Sequence, residues 1–85
     1  MGNLTVARAT NGGRTERTLL NVPVEDYDDA SQTLIEWLWL HQSLSMTQKV
    51  IMAWMRGEMY KEHGLWVRYY VSGTVGDWFT IRYSA

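Results

Sequence analysis

The sequence predicts an α+β domain of order ββααββ, a four-stranded antiparallel sheet built from two terminal hairpins with two antiparallel helices packed on one of its faces. Three observations predict it. Apolar and polar residues alternate at both ends of the chain, apolar residues recur at three and four in the middle, and glycines or acids stand where the period changes. With 85 residues, 46% hydrophobic and 20% charged, the chain has the apolar mass for one core and no room for a second. It reads as one domain, 1–85, without repeat, low-complexity tract or linker.

The first hairpin is read from two runs, Leu4 to Thr10 and Thr15 to Val24, that flank Asn11-Gly12-Gly13. Glycine tolerates positive φ, so the triplet suits a tight hairpin turn. Leu20, Val22 and Val24 share a face, and Pro23, the only proline, belongs on an edge or at a strand end because it cannot donate to a ladder. The first helix is predicted from about Tyr27 to His41: an Asp in Asp26-Tyr27-Asp28-Asp29 can cap orphan backbone N–H groups, and further acids complement the helix dipole. Its inward stripe is Ala30, Leu34, Trp37, Leu38 and His41, yet Ile35, Trp39 and Leu40 make the segment from Leu34 to Leu40 apolar nearly all round. That pattern predicts a sandwiched helix or an apolar patch turned to a partner.

Ser45-Met46-Thr47-Gln48 has capping-box spacing and predicts a second helix running to about His63. Val50, Ala53, Trp54 and Gly57 form one stripe, Ile51, Met55 and Met59 an adjacent one, and Gly64 suits the C-terminal cap. Gly57 inside this helix would admit a close neighbouring backbone. The last third alternates, with Leu65, Val67, Tyr69 and Val71 on one face and Trp66, Arg68, Tyr70 and Ser72 on the other. After a loop from Gly73 to Gly76, Trp78, Thr80 and Arg82 alternate with Phe79, Ile81 and Tyr83.

For catalysis the inventory is poor, and no enzyme is expected. There is no phosphate-binding glycine loop, dinucleotide fingerprint or nucleophile elbow. The absence of cysteine excludes disulfide frameworks, thiolate zinc sites and thiol nucleophiles. His41 and His63 stand near helix ends, where imidazoles commonly serve as caps, and the acids at 25–29 lack the spaced oxygens and turn glycine of a calcium loop, so no cofactor or metal is expected. No apolar run is long enough for a signal peptide or membrane span, which predicts a cytoplasmic protein with no membrane partner.

The chemistry lies in surfaces. The net charge is −1, but residues 25–36 hold five acids (Glu25, Asp26, Asp28, Asp29, Glu36) and no base, leaving eight bases against four acids elsewhere. Four acids within five residues exceed what a cap needs, and such a run can mimic phosphate or dock on a basic groove. The second candidate surface is the C-terminal hairpin. If the helices cover the face of Leu65, Val67 and Tyr69, then Trp66, Arg68, Tyr70, Trp78 and Arg82 project from the other. Arginine interleaved with aromatics can stack on bases or anchor a protein interface. Trp39 is the candidate anchor on the first helix.

In general layout, a compact α+β domain without cysteine or catalytic set but with an acidic patch and surplus aromatics, the chain resembles small phage- or mobile-element-encoded inhibitors of host machines, anti-CRISPR proteins among them. No motif carries that resemblance, and it transfers no residue role. It implies a non-enzymatic protein-binding inhibitor acting in a bacterial host cytosol on a host protein or protein–nucleic acid complex with a basic surface. Two alternatives stand beside it: a nucleic-acid-binding or transcription-regulating module using the Arg68 and Arg82 face or a helix-turn-helix reading of the second helix, and a homodimeric structural subunit that buries Trp37, Trp39 and Leu40 or pairs an exposed strand edge.

Overall fold

A computed structural model describes residues 1–57, 65–70 and 76–85, with 65–70 described by backbone and register. It is α+β, with two helices and an antiparallel sheet. The strands β1 (Gly2–Thr10), β2 (Thr15–Val24) and β4 (Trp78–Ser84) carry described side chains, and the backbone of β3 (Leu65–Tyr70) pairs with β4. Neighbours run in the order β2-β1-β4-β3, so the N- and C-terminal strands β1 and β4 meet at the centre.

The hairpin turn falls where the glycines stand, at a single 3-10 turn over Asn11–Gly13. Two glycines there and opposite are required by geometry. Gly13 has φ +87° and a Cβ would come 2.7 Å from the Trp78 ring; Gly76 has φ +75° and a Cβ would come 2.6 Å from the Gly12 nitrogen. The Gly12 N–H donates to the Gly76 carbonyl at 3.0 Å, joining the β1–β2 turn to the residue that leads into β4. In β2, Leu20 pairs with Val6 and Thr18 with Ala7, which leaves Leu19 as the extra residue of a bulge. Pro23 lies in this edge strand, as its missing N–H requires.

Helix α1 (Tyr27–His41) begins where the acids predict. The Asp26 carboxylate accepts the Asp29 N–H at 2.8 Å, and the Asp29 carboxylate accepts the Glu25 N–H at 2.9 Å. Ala30, Leu34 and Leu38 are buried, one per turn, with Trp37 half-buried. His41, expected on the inward stripe, is exposed: the buried row follows a strict four-residue step, which turns position 41 outward beside the Trp37 ring at 5.4 Å.

Helix α2 (Leu44–Arg56) starts earlier than the sequence predicts. The cap is Ser43, whose hydroxyl accepts the Met46 N–H at 3.2 Å, so the capping box at Ser45 does not form and Ser45 falls within the first turn. A tertiary bond fixes this frame: Thr47, fully buried, donates its hydroxyl to the Leu38 carbonyl at 3.1 Å. Gly57 is the C-terminal cap rather than an interior residue, and Met55, on the stripe adjacent to Val50 and Trp54, is more than half exposed because Val50 and Trp54 take the buried face. The predicted extension to His63, with Met59 and Gly64, lies outside the described residues, as do Val71 and Ser72 and the loop from Gly73 up to Gly76.

The core lies between the helices and one sheet face. Leu4, Val6, Phe79, Ile81 and Tyr83 meet Ala30, Leu34, Leu38, Val50 and Trp54. At its centre the Trp54 indole stacks on Tyr27 (5.5 Å, 2° between planes), Tyr27 meets Tyr83 edge-on at 5.9 Å, and Trp54 Nε1 donates to Ser31 Oγ at 2.9 Å. One residue of α2 thus holds α1, and Tyr27 carries the contact on to the sheet. Trp54→Ala is expected to cost about 3–5 kcal/mol in urea unfolding, from lost burial and the cavity left behind. Ser31→Ala should cost about 1 kcal/mol through the orphaned indole N–H. A loss under about 1 kcal/mol for Trp54→Ala would contradict this packing.

Candidate functional site

Two outer surfaces remain once the core is assembled, and they lie on opposite sides of the domain. On the helical side, the exposed positions of α1, besides His41 at its end, are Asp28, Gln32, Glu36, Trp39 and Leu40. Their spacing places them along one stripe, acidic toward the N-terminus and apolar toward the C-terminus. Trp39 is 56% exposed and Leu40 80%. On α2, Leu44, Met52 and Met55 are also more than half exposed, separated by turns that carry Gln48 and Lys49. Large apolar side chains on the outward faces of both helices exceed what the core needs.

The acidic run divides by role. Asp26 and Asp29 accept backbone N–H groups at the start of α1, Asp26 while still exposed and Asp29 half-buried, whereas Glu25 and Asp28 are exposed and Glu36 continues the α1 stripe. The four acids are therefore not one equivalent patch, and helical spacing sets Asp28 on the stripe of Glu36 and Trp39.

On the other side the sheet bears no described helix. Register sets out its residues in rows. Glu16, Ala9 and Trp78 lie side by side, then Thr18, Ala7 and Thr80, then Asn21, Thr5 and Arg82. On β3 the register positions of Tyr70, Arg68 and Trp66 fall opposite Trp78, Thr80 and Arg82. Rows two residues apart are separated by about 6.6 Å and strands by about 4.8 Å. A groove of about 340 Å³ runs across these rows, lined by Thr5, Ala7, Glu16, Thr18, Trp78, Thr80 and Arg82. Ala7 gives it a low floor, Trp78 an aromatic wall and Arg82 a charged end. Asn3 braces the face by donating to Thr5 Oγ1 at 3.2 Å and to Asn21.

At the turn end of the sheet, Arg8 pairs with Asp77 at 3.3 Å and sits over the Phe79 ring at 4.9 Å. That pair anchors the start of β4 on the core face.

Trp78 and Arg82 thus share the open face, on the side that period-two alternation assigns them, while Trp39, Asp28 and Glu36 lie on the helical side. The structure does not bring the two sets together. Sequence reading missed Thr5, Ala7, Glu16, Thr18 and Thr80 as groove residues. Their signal was the alternation of Thr5, Ala7 and Ala9 with Leu4, Val6 and Arg8 in β1.

Comparison with family models, curated proteins and solved structures finds no match for this chain. Among the described residues, no group of three or more His, Asp or Glu is placed to hold a metal ion, and no helix is long and apolar enough to cross a membrane.

The division of the acids has a stability signature. Asp26→Ala should cost about 1 kcal/mol in chemical denaturation, as loss of an N-cap does. Asp28→Ala should stay within about 0.5 kcal/mol of wild type, as an exposed substitution away from such features does. Equal losses at the two positions would contradict the division.

Proposed function

We propose that the protein is a small non-enzymatic protein-binding domain of the inhibitor kind, and that it docks through the outward stripe of α1. The observation that carries this is the exposure of Asp28, Glu36, Trp39 and Leu40 along one stripe of α1, with Leu44, Met52 and Met55 also exposed on α2. Trp39 and Leu40 supply apolar area that gains free energy only when a partner removes it from water. Asp28 and Glu36 select a basic partner and accelerate encounter, as complementary charge does at protein interfaces.

The partner class that fits is a host protein or protein–nucleic acid complex whose basic groove normally holds phosphate. Occupying that groove inhibits without chemistry. The setting we propose is a bacterial cytosol, and the complete fold we propose is ββααββ, with both hairpins in one four-stranded sheet and both helices on one face.

The test begins with capture of partners from nuclease-treated bacterial lysate, followed by binding kinetics on the retained protein. Asp28→Lys with Glu36→Lys should slow association about tenfold at low salt, with the difference shrinking as salt rises. Trp39→Glu should instead speed dissociation. Wild-type kinetics in both variants would sink the reading. A dimer in sedimentation that Trp39→Glu dissociates would assign the stripe to self-association instead.

A further inference from the structure

We infer that Asn11 is a modification site, converted spontaneously in water to aspartate and isoaspartate, and that the turn it occupies sets the rate of conversion. The inference does not depend on the α1 stripe.

The reactivity starts from the sequence. Asparagine is thermolabile because the backbone nitrogen of the next residue can attack its side-chain amide carbon. Here a bond forms between the Gly12 nitrogen and Asn11 Cγ, and the side-chain nitrogen leaves as ammonia, taking up the proton that Gly12 loses. One water molecule then opens the five-membered succinimide. Breaking the new bond gives aspartate; breaking the original peptide bond gives isoaspartate, whose main chain runs through Cβ and Cγ. The residue that follows decides among the three asparagines of the chain. Leu4 follows Asn3 and Val22 follows Asn21, and a side chain there crowds the attacking nitrogen, whereas Gly12 has no Cβ to obstruct it. Asn3 and Asn21 are also joined to each other through their side chains. Asn11 is exposed, and among the described residues its side chain has no hydrogen-bond partner.

The structure opposes this reactivity. Asn11 stands at φ +56° and Gly12 at φ +68°, in the left-handed region that a short polar side chain and a glycine tolerate. The peptide group between them is held at both ends. Its N–H, from Gly12, donates to the Gly76 carbonyl at 3.0 Å, and its carbonyl, from Asn11, accepts the Arg14 N–H at 3.4 Å. Attack requires this peptide to rotate about the Asn11 Cα–C bond until its nitrogen meets Cγ, which breaks both bonds. Turn opening and closing are fast beside the chemistry, so conversion proceeds at the rate of the open turn scaled by its population.

The two products differ in what they do to the turn. Aspartate keeps the length of the main chain and makes the net charge one unit more negative than −1. Isoaspartate adds one carbon to the main chain ahead of Gly12 and displaces its N–H from Gly76. Gly13, the next residue, packs on the Trp78 ring, so that change reaches the aromatic wall of the groove.

The experiment incubates the full chain in mildly alkaline buffer, native and in concentrated guanidinium chloride. Conversion is followed by peptide mapping with mass spectrometry, and isoaspartate is marked with an isoaspartate-specific methyltransferase. In guanidinium chloride Asn11 should convert at least about tenfold faster than Asn3 or Asn21. In the native chain Asn11 should convert at least about tenfold more slowly than in guanidinium chloride, and the slowing should match the exchange protection of the Gly12 amide to within about tenfold, since both wait for the same N–H to leave Gly76. Gly76→Ala, whose Cβ would come 2.6 Å from the Gly12 nitrogen, should bring the native rate toward the unfolded one while circular dichroism shows the helices intact. If that variant does not fold, the wild-type rates and the Gly12 amide decide alone. Earlier conversion of Asn3 or Asn21 in guanidinium chloride, a native rate equal to the unfolded one, a slowing outside the range set by the Gly12 amide, or an unchanged rate in folded Gly76→Ala would overturn the proposal.

Discussion

The Trp54 indole is the constraint on which the rest of the structure depends. It is buried flat against Tyr27 and bonded to Ser31, so one side chain of α2 holds two successive turns of α1. Tyr27 in turn meets Tyr83 on the central strand β4. Stacking of this kind contributes about 0.5–1.5 kcal/mol beyond buried area, and the indole N–H would be costly to bury without an acceptor. A second tie at the other end of the helix pair, Thr47 to the Leu38 carbonyl, prevents α2 from sliding along α1.

Fixing the described helices on one sheet face determines what is left for function. A two-layer domain has two outer surfaces, and here they differ in chemistry. The helical side shows acids grading into Trp39 and Leu40, and the sheet side shows arginine, tryptophan and threonine around a low alanine floor. The turn contact between Gly12 and Gly76 holds the β1–β2 turn at the start of β4, next to Trp78.

Much of the architecture is legible in the sequence because its signals are local. Asp26 and the following acids set the start of α1, and Asn11-Gly12-Gly13 sets the first turn, since capping and positive φ act over a few residues. The start of α2 was misread because Ser43 and Ser45 both offer a hydroxyl, and the choice is made by Thr47 reaching a carbonyl nine residues back. The pairing of β1 with β4 is similarly non-local. On the site, alternation puts Trp78, Thr80 and Arg82 on one face of β4 and Thr5 and Ala7 on one face of β1, but only the register, which is non-local, shows that these two faces lie side by side. Nor does composition show that Asp26 and Asp29 are engaged in a cap while Asp28 is exposed. The apolar band from Leu34 to Leu40 predicts an unusual helix without showing that Leu34 and Leu38 turn inward and Trp39 and Leu40 outward.

Hydrogen exchange of the tryptophan indole N–H groups, followed by NMR, tests the central packing most directly. The Trp54 indole proton should exchange only through global unfolding, with the same free energy as the most protected backbone amides, while that of Trp39 exchanges as a solvent-exposed group does. Exchange of Trp54 as fast as Trp39 would mean that the helices are not held as described, and neither outer surface would then be defined.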